Sequence, residues 1–464
     1  MDVLFINPRN TFDPLPPLGL MLLTAVAREK GFSVSITDAE IEKLDNAQLE
    51  AIIRREKPAI IGVPVFTPTY GQALDVLRLA KSIDPQITTV VGGPHSTLYP
   101  EIVENAEVDY SVRGEGEITF TELAEFVING KGTKEGINGI SYKKNGKAFH
   151  NPNRELIKDL DTIPWPARDT LPIEKYPGIL IPKRTPETQV MGTRGCPFRC
   201  AFCSSGIFGK TMRYRNPLSV VDEVEFLIDK YKIKSLIFFD DGLNYRADWL
   251  TTICDEFIKR GINQKIEWKA QVRVNAPFVT PELLGKMRKA GCWMLAWGIE
   301  SGNQTVLNNI HKAITLEEVE RAMRISSKAG IRNLGFFMGG NLTETKETVN
   351  DTINFTKKLM HAGMDYIQWS LATPYPGTEF YEVCKKSGWI KVDKWEDWRE
   401  DKQKVIIDMP GLPLEWLQKT RERAYKTFYM DPYYIARQLS KVRSVDDAKL
   451  LSSGFGWVRK ALKG

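Results

Sequence analysis

GTRGCPFRCAFC, residues 192–203, sets Cys196, Cys200 and Cys203 on one short stretch, with three and then two residues between them. Three thiolates from a single loop can hold three irons of a cubane cluster and leave the fourth iron open. A four-cysteine zinc site would need a second pair close by, and Cys254, Cys292 and Cys384 are single and distant. A chain of 464 residues does not need disulfide staples, so the clustered thiols point to metal in a reducing compartment. The strand-like run ETQVMGT, which begins at residue 187, leads into the cysteines. They therefore fall where a loop leaving a parallel barrel strand presents its chemistry.

Working outward, residues 187–385 alternate strand and helix patterns. The candidate strands are ETQVMGT, SLIFFDD, IEWKAQVR, WMLAWGIE, RNLGFFMGG and YIQWSLATP, separated by helices such as VVDEVEFLIDKY. Six such strands in series predict a partial (β/α)6 barrel. Residues 1–135 carry a second α/β pattern, with strands at VLFIN, SVSITD, AIIGVPV and TTVVGGP, and predict a Rossmann-like or flavodoxin-like domain. Ligands of such sheets lie beyond the strand C-termini. The small-residue stretches 62–71, 92–97 and 114–116 would fall there. Residues 136–186 read as a hairpin followed by a Pro-rich linker. Residues 386–464, with Trp395, Trp398, Trp416, Tyr425, Phe428, Tyr429, Tyr433 and Tyr434, predict a helical, aromatic cap over the barrel mouth.

The apolar share of 42% against 26% charged residues fits a globular chain with a real core and excludes extensive disorder. Lys and Arg exceed Asp and Glu by 64 − 58 = +6, too mild a bias to imply nucleic acid. No run of 18 apolar residues predicts a membrane span, and MDVLFINPRNTF lacks a secretory pattern. The expectation is a cytoplasmic monomer whose C-terminal VRKALKG is an ordinary solvated helix end.

The CxxxCxxC spacing resembles that of the radical S-adenosylmethionine (radical SAM) enzymes. In that family a 4Fe-4S cluster binds the amino and carboxylate groups of S-adenosylmethionine at its open iron and cleaves it to a 5′-deoxyadenosyl radical. The resemblance makes Cys196, Cys200 and Cys203 the cluster ligands and puts Phe202 near the adenine. Asp240 or Asp241 in FFDDG would face the ligand's amino group, although one of the pair may instead cap a helix. Gln271 and Arg273 in KAQVRVN would lie near its carboxylate and ribose. Glu300 and Ser301 in GIESG would meet the same ligand, and Gly339 in GFFMGGNLTET would line the adenine. The usual continuation there is Gly-x-Pro-Gly-Glu-Thr, with Asn341 and Leu342 taken as replacing Pro-Gly. Tyr375 in PYPGT is a catalytic candidate, or else a packed loop tyrosine.

PPLGL at 16–20, GVPVFTPTY at 62–70, VVGGPHSTLYP at 90–100 and VDYSVRGEGE at 108–117 extend the likeness to the N-terminal domain. In this order they resemble the cobalamin-binding radical SAM enzymes related to the anaerobic magnesium-protoporphyrin ester cyclase. The resemblance gives Pro16, Leu18, Gly19, Thr67, Thr69, Gly92, Gly93, His95, Ser96, Gly114, Glu115, Gly116 and Glu117 to cobalamin. Small residues would let backbone approach the corrin, while hydroxyls bond its amides and tail. The Asp-x-His-x-x-Gly motif that puts histidine on cobalt is absent, so His95 reads as a loop histidine or tail contact before a ligand. Two such cofactors imply a C-methyltransferase using S-adenosylmethionine and methylcobalamin, with a ferredoxin or flavodoxin as electron donor in an anaerobic setting. The favoured substrate is a protein or peptide, at family level resembling the archaeal enzymes that methylate a glutamine of methyl-coenzyme M reductase. Alternatives are a tetrapyrrole cyclase or oxidase, and a non-catalytic cobalamin or iron–sulfur sensor.

Overall fold

The computed structural model describes residues 1–9, 15–275, 279–398, 407–442 and 448. The C-terminal VRKALKG lies outside the described residues. The chain divides into two compact units: Met1–Tyr176 with Ile207–Gly209 and a later segment around Trp395, and Pro177–Gly206 with Lys210–Lys391 and the helices that follow.

In the first unit, β1 (Val3–Asn7), α1 (Leu18–Glu29), β2 (Val34–Asp38), α2 (Asn46–Glu56), β3 (Ile60–Pro64), α3 (Tyr70–Ile83), β4 (Thr88–Gly92), α4 (Pro94–Leu98), β5 (Tyr110–Val112) and α5 (Gly116–Asn129) follow in order. The strands line up β2-β1-β3-β4-β5, all parallel, which is the flavodoxin-like order. Short apolar runs such as Val3–Ile6 and Ile60–Val63 are buried on both faces, as a helix-covered parallel sheet requires. The sequence predicts a linker over 136–186. Instead its hairpin, β6 (Ile140–Lys144) and β7 (Lys147–His150), adds two antiparallel strands to this sheet. The chain to Tyr176 also packs here: Tyr176 donates its hydroxyl to Asp38 at 2.8 Å, and Arg28 pairs with Asp169.

The second unit contains β8 (Glu187–Val190), the small ladder β9 (Thr193–Arg194) with β10 (Arg213–Tyr214), α6 (Pro217–Tyr231), β11 (Ser235–Phe238), α7 (Ala247–Lys259), α8 (Ile262–Lys265), β12 (Glu267–Val272) and α9 (Pro281–Lys289). It continues with β13 (Cys292–Glu300), α10 (Gln304–Asn309), α11 (Leu316–Lys328), β14 (Arg332–Gly339), α12 (Lys346–Ala362), β15 (Tyr366–Leu371), α13 (Glu379–Lys386), α14 (Leu414–Tyr429) and α15 (Pro432–Ser440). Its large sheet runs β8-β11-β12-β13-β14-β15, parallel throughout, matching the six predicted strands.

An unclosed barrel leaves an edge, and an exposed edge strand invites unwanted pairing. Here α14 covers β15. Tyr429 accepts a hydrogen bond from the Ile367 N–H and donates to the Ile367 carbonyl, both at 2.9 Å. One turn earlier, Tyr425 accepts from the Trp369 N–H at 3.0 Å. Helix α15 is pinned in turn by Asp365, a fully buried carboxylate paired with Arg332, Arg437 and Lys441, cations that hold it below the usual carboxylate range despite burial. Tyr425, Phe428, Tyr429 and Tyr434 are thus core. Trp395 and Trp398, grouped by sequence with the C-terminal cap, belong to the first unit.

Candidate functional site

The loop after β8 is shaped by backbone contacts to the end of β11. Gly192 must be glycine, since a Cβ there would lie 2.5 Å from the Trp249 ring. Asp240 accepts hydrogen bonds on Oδ1 from the Gly192 and Thr193 N–H groups, at 2.9 and 2.5 Å. Burial outweighs those bonds and raises its carboxyl to about 7. Asp241 keeps an exposed face and accepts from the Gly195 N–H at 3.2 Å. Of the predicted pair, Asp240 therefore braces the cysteine loop, and Asp241 is the more open carboxylate.

The six cysteines are free thiols. Among the described residues no three Cys, His, Asp or Glu side chains converge as they would around one ion. A cubane asks for something else, because each thiolate takes a different iron. Three free thiols on one loop, Cys196 buried and Cys203 exposed, fit that donor set. Two of them have hydrogen-bond donors beside them. Arg273 Nη1 lies 3.6 Å from Cys200 Sγ, and the Tyr245 hydroxyl lies 3.9 Å from Cys196 Sγ. Between these donors sits Phe198, with the guanidinium 3.6 Å from its ring centre and the Tyr245 ring 5.5 Å away.

The end of β13 carries the next group. Glu300 is in the left-handed region, φ 72°, where the register with β14 shifts. Its carboxylate pairs with Lys312 Nζ at 2.7 Å, both side chains under 10% exposed. Lys312 Nζ is also 5.6 Å from the Phe202 ring centre. Gly298 leaves room for this pair, since a Cβ there would lie 2.8 Å from Lys312 Nζ. Ser301 is fully buried and shares a hydrogen bond with Thr352 at 3.1 Å, so it serves the turn. Gln271 is half-buried on β12.

After β14, Gly339 lies against the Trp369 indole. The following loop is drawn round Glu344, which accepts from the Gly340 and Asn341 N–H groups at 2.6 and 2.8 Å. Burial raises this carboxyl to about 7. Thr343 has φ 64°. That is the conformation a glycine would serve, so Leu342 and Thr343 stand where Pro-Gly is usual, one residue later than the sequence suggested. Tyr375 is half-buried in the turn before α13, with its N–H on the Thr373 carbonyl and its carbonyl accepting from Thr378.

In the first unit the residues assigned to cobalamin do gather beyond the C-terminal ends of β3, β4 and β5 and at the start of α1. Their hydroxyls are not presented as expected. Thr67 bonds His95 Nδ1 at 3.0 Å, Thr69 bonds the Phe66 backbone, and Ser96 donates to the Gly93 carbonyl. His95 is buried with its ring packed against Tyr70, Tyr99 and Trp395, and burial lowers its imidazole to about 4, holding it neutral. Gly93, φ 98°, is required by the chain itself, as a Cβ would press on Val65. Gly92 is half-buried, and Gly116 faces Leu23. Glu115 accepts from the Ile157 N–H at 2.7 Å, and the Glu117 carbonyl accepts from Thr121 at 2.5 Å. Pro16 is buried and Leu18 half-buried. At Gly19 neither φ nor any neighbour demands glycine, and a Cβ would meet nothing within 4 Å; the space beside Gly114 is equally open, but its φ of 70° already calls for glycine. This clearance fits a flat ligand such as a corrin.

Phe198, Tyr245, Lys312 and Glu344 are the site residues that sequence reasoning missed. Phe198 and Glu344 carried a signal, lying inside the cysteine motif and at the Glu of the Gly-x-Pro-Gly-Glu-Thr pattern; Tyr245 and Lys312 are ordinary in sequence and meaningful only by contact.

Comparison with known proteins agrees with this division. The pattern of the B12 binding domain matches residues 10–124, and that of the Radical SAM superfamily matches residues 190–356. An uncharacterized methyltransferase of Pyrococcus horikoshii is 35% identical over 91% of this chain and 90% of its own length. The anaerobic magnesium-protoporphyrin IX monomethyl ester cyclase of Rubrivivax gelatinosus is 32% identical over 82% of this chain and 70% of its own. The radical S-adenosylmethionine methyltransferase TsrM of Kitasatospora setae superposes with a TM-score of 0.74, at 20% identity, over 93% of this chain and 89% of that one. With both units matched in order and near-full-length likeness above 30%, the chain belongs to the cobalamin-binding radical SAM superfamily.

Proposed function

We propose that this protein is a cobalamin-dependent radical SAM C-methyltransferase acting on an unactivated carbon. The observation that carries the reading is the 35% identity to an uncharacterized methyltransferase across nine-tenths of both chains. The bound groups would supply a one-electron cleavage of S-adenosylmethionine and a transferable methyl group. The protein's share is to bind, orient and exclude water. Cys196, Cys200 and Cys203 would hold the cluster. Asp241 and the Glu300–Lys312 pair offer both signs of charge for the amino and carboxylate groups of S-adenosylmethionine. Gly19 and Gly114 clear the surface for the corrin. A polypeptide side chain such as glutamine is the favoured acceptor class, to be tested beside tetrapyrroles and lipids.

The test is anaerobic incubation of the reconstituted protein with methyl-labelled S-adenosylmethionine and extract from a strain lacking the gene, using the Cys200→Ala variant as control. Label in a new product together with 5′-deoxyadenosine, both lost in the variant, is the expected result. 5′-Deoxyadenosine with an unlabelled product would instead favour the cyclase or oxidase reading, suggested by the likeness to the Rubrivivax gelatinosus enzyme. Bound cofactors without 5′-deoxyadenosine would make it a sensor.

A further inference from the structure

Arg273 was expected near the carboxylate and ribose of S-adenosylmethionine, but its guanidinium is committed elsewhere. Nε donates to Asn275 Oδ1 at 3.2 Å, Nη2 donates to the Lys312 carbonyl, and Nη1 points at Cys200 Sγ. Its backbone is fixed too: the Asn244 side chain accepts from the Arg273 N–H at 3.2 Å and donates to its carbonyl at 2.9 Å. The guanidinium carbon sits over the Phe198 ring, and the Tyr245 ring lies against the same phenyl at a tilt of 47°. The result is a trio of packed side chains from three separate elements. Its two ends carry an N–H for Cys200 and an O–H for Cys196. Nothing in packing alone requires both polar ends to stop at thiols.

We propose that the Tyr245–Phe198–Arg273 trio is a positioning device for the cluster. It holds the cysteine loop in its ligating shape, and it raises the cluster's reduction potential through hydrogen bonds to two of its ligand sulfurs. Reduction adds one electron and so one negative charge to the cluster. Donors aimed at the sulfurs, above all a cationic one, stabilise the reduced form more than the oxidised form. The electron would come from a low-potential protein donor of the ferredoxin or flavodoxin class. The inference rests on the cluster assignment under Proposed function, but not on methyl transfer.

The experiment is an EPR-monitored redox titration of the reconstituted cluster in the full chain, without S-adenosylmethionine, cobalamin or substrate. Wild type is compared with Arg273→Met, which keeps an unbranched stem but removes every side-chain N–H, with Arg273→Lys, and with Tyr245→Phe. Arg273→Met should make reduction about tenfold less favourable, roughly 59 mV more negative for one electron. Arg273→Lys should recover part of that shift, and Tyr245→Phe should shift the potential less in the same direction. Tyr245→Phe loses only a hydroxyl and keeps its ring on Phe198, so it decides the matter if Arg273→Met does not fold. Unchanged potentials would overturn the proposal. If those same variants weaken S-adenosylmethionine binding in a separate titration while the potential stays put, Arg273 returns to a ligand role. A wild-type protein that takes up no cluster would overturn the proposed function as well; a normal cluster with unmoved potentials overturns this inference alone.

Discussion

Asp240 makes the cysteine loop sensitive to pH, and the size of the effect follows from its surroundings. Its carboxyl is fully buried, and two backbone N–H groups do not repay the lost water, so it titrates at about 7 in the folded chain against 3.8 in the open chain. Between those values the folded state binds the proton and the unfolded state does not. Stability from this group is therefore full below the unfolded value and is lost as pH rises through the folded one. A shift of about three units at about 1.4 kcal/mol each sets an upper size of roughly 4 kcal/mol. Asn at this position keeps the Oδ1 acceptor for Gly192 and Thr193 but cannot ionise. The stability difference between Asp240→Asn and wild type should thus grow in favour of the variant from pH 4 to 7 and level off above. Glu344, also raised to about 7, titrates in both proteins and cancels in the difference. Urea unfolding of the cluster-free chain at pH 4, 5, 6, 7 and 8, followed by tryptophan fluorescence, measures it. Parallel stability curves, or a variant that loses ground as pH rises, would refute the reasoning.

Three further outcomes follow from single contacts. Tyr429→Phe removes both hydrogen bonds to the buried Ile367 backbone and should cost about 2 kcal/mol in urea unfolding, with increased aggregation through the uncovered strand. Lys312→Met strands the buried Glu300 carboxylate and should cost roughly 3–5 kcal/mol, most of it recovered in the Lys312→Met/Glu300→Gln double variant on the same assay. His95 is enclosed by three aromatic rings with Nδ1 on Thr67, so the EPR spectrum of bound cob(II)alamin should lack nitrogen splitting from an axial imidazole and be unchanged by His95→Phe. Splitting that vanishes in the variant would make His95 the ligand.

Features carried by local sequence were readable; those made by convergence were not. Strand patterns alternating with helical ones mark a parallel sheet, so all six strands of β8 to β15 in the large sheet could be named, even β8 with its buried polar Glu187, Thr188 and Gln189. The cysteine spacing is local for the same reason, since one loop supplies it. Tyr425 and Tyr429, four residues apart, fall on one face of the helix predicted for this region. That their hydroxyls seal a strand was hidden, because it depends on β15 being the edge of an unclosed barrel. Thr67, Thr69 and Ser96 were assigned outward to a ligand, yet each hydroxyl bonds within its own or the adjacent loop, an option short polar side chains always have. Arg273 shows most clearly how position and role separate. Two residues from Gln271, it would share that residue's face if the strand continued, and one ligand for both would follow. But β12 stops at Val272, and Asn244 takes hold of the next residue's backbone on both sides. Alternation no longer governs where the guanidinium goes. The residue stays at the mouth of the barrel, as sequence requires, but it faces the sulfur of Cys200.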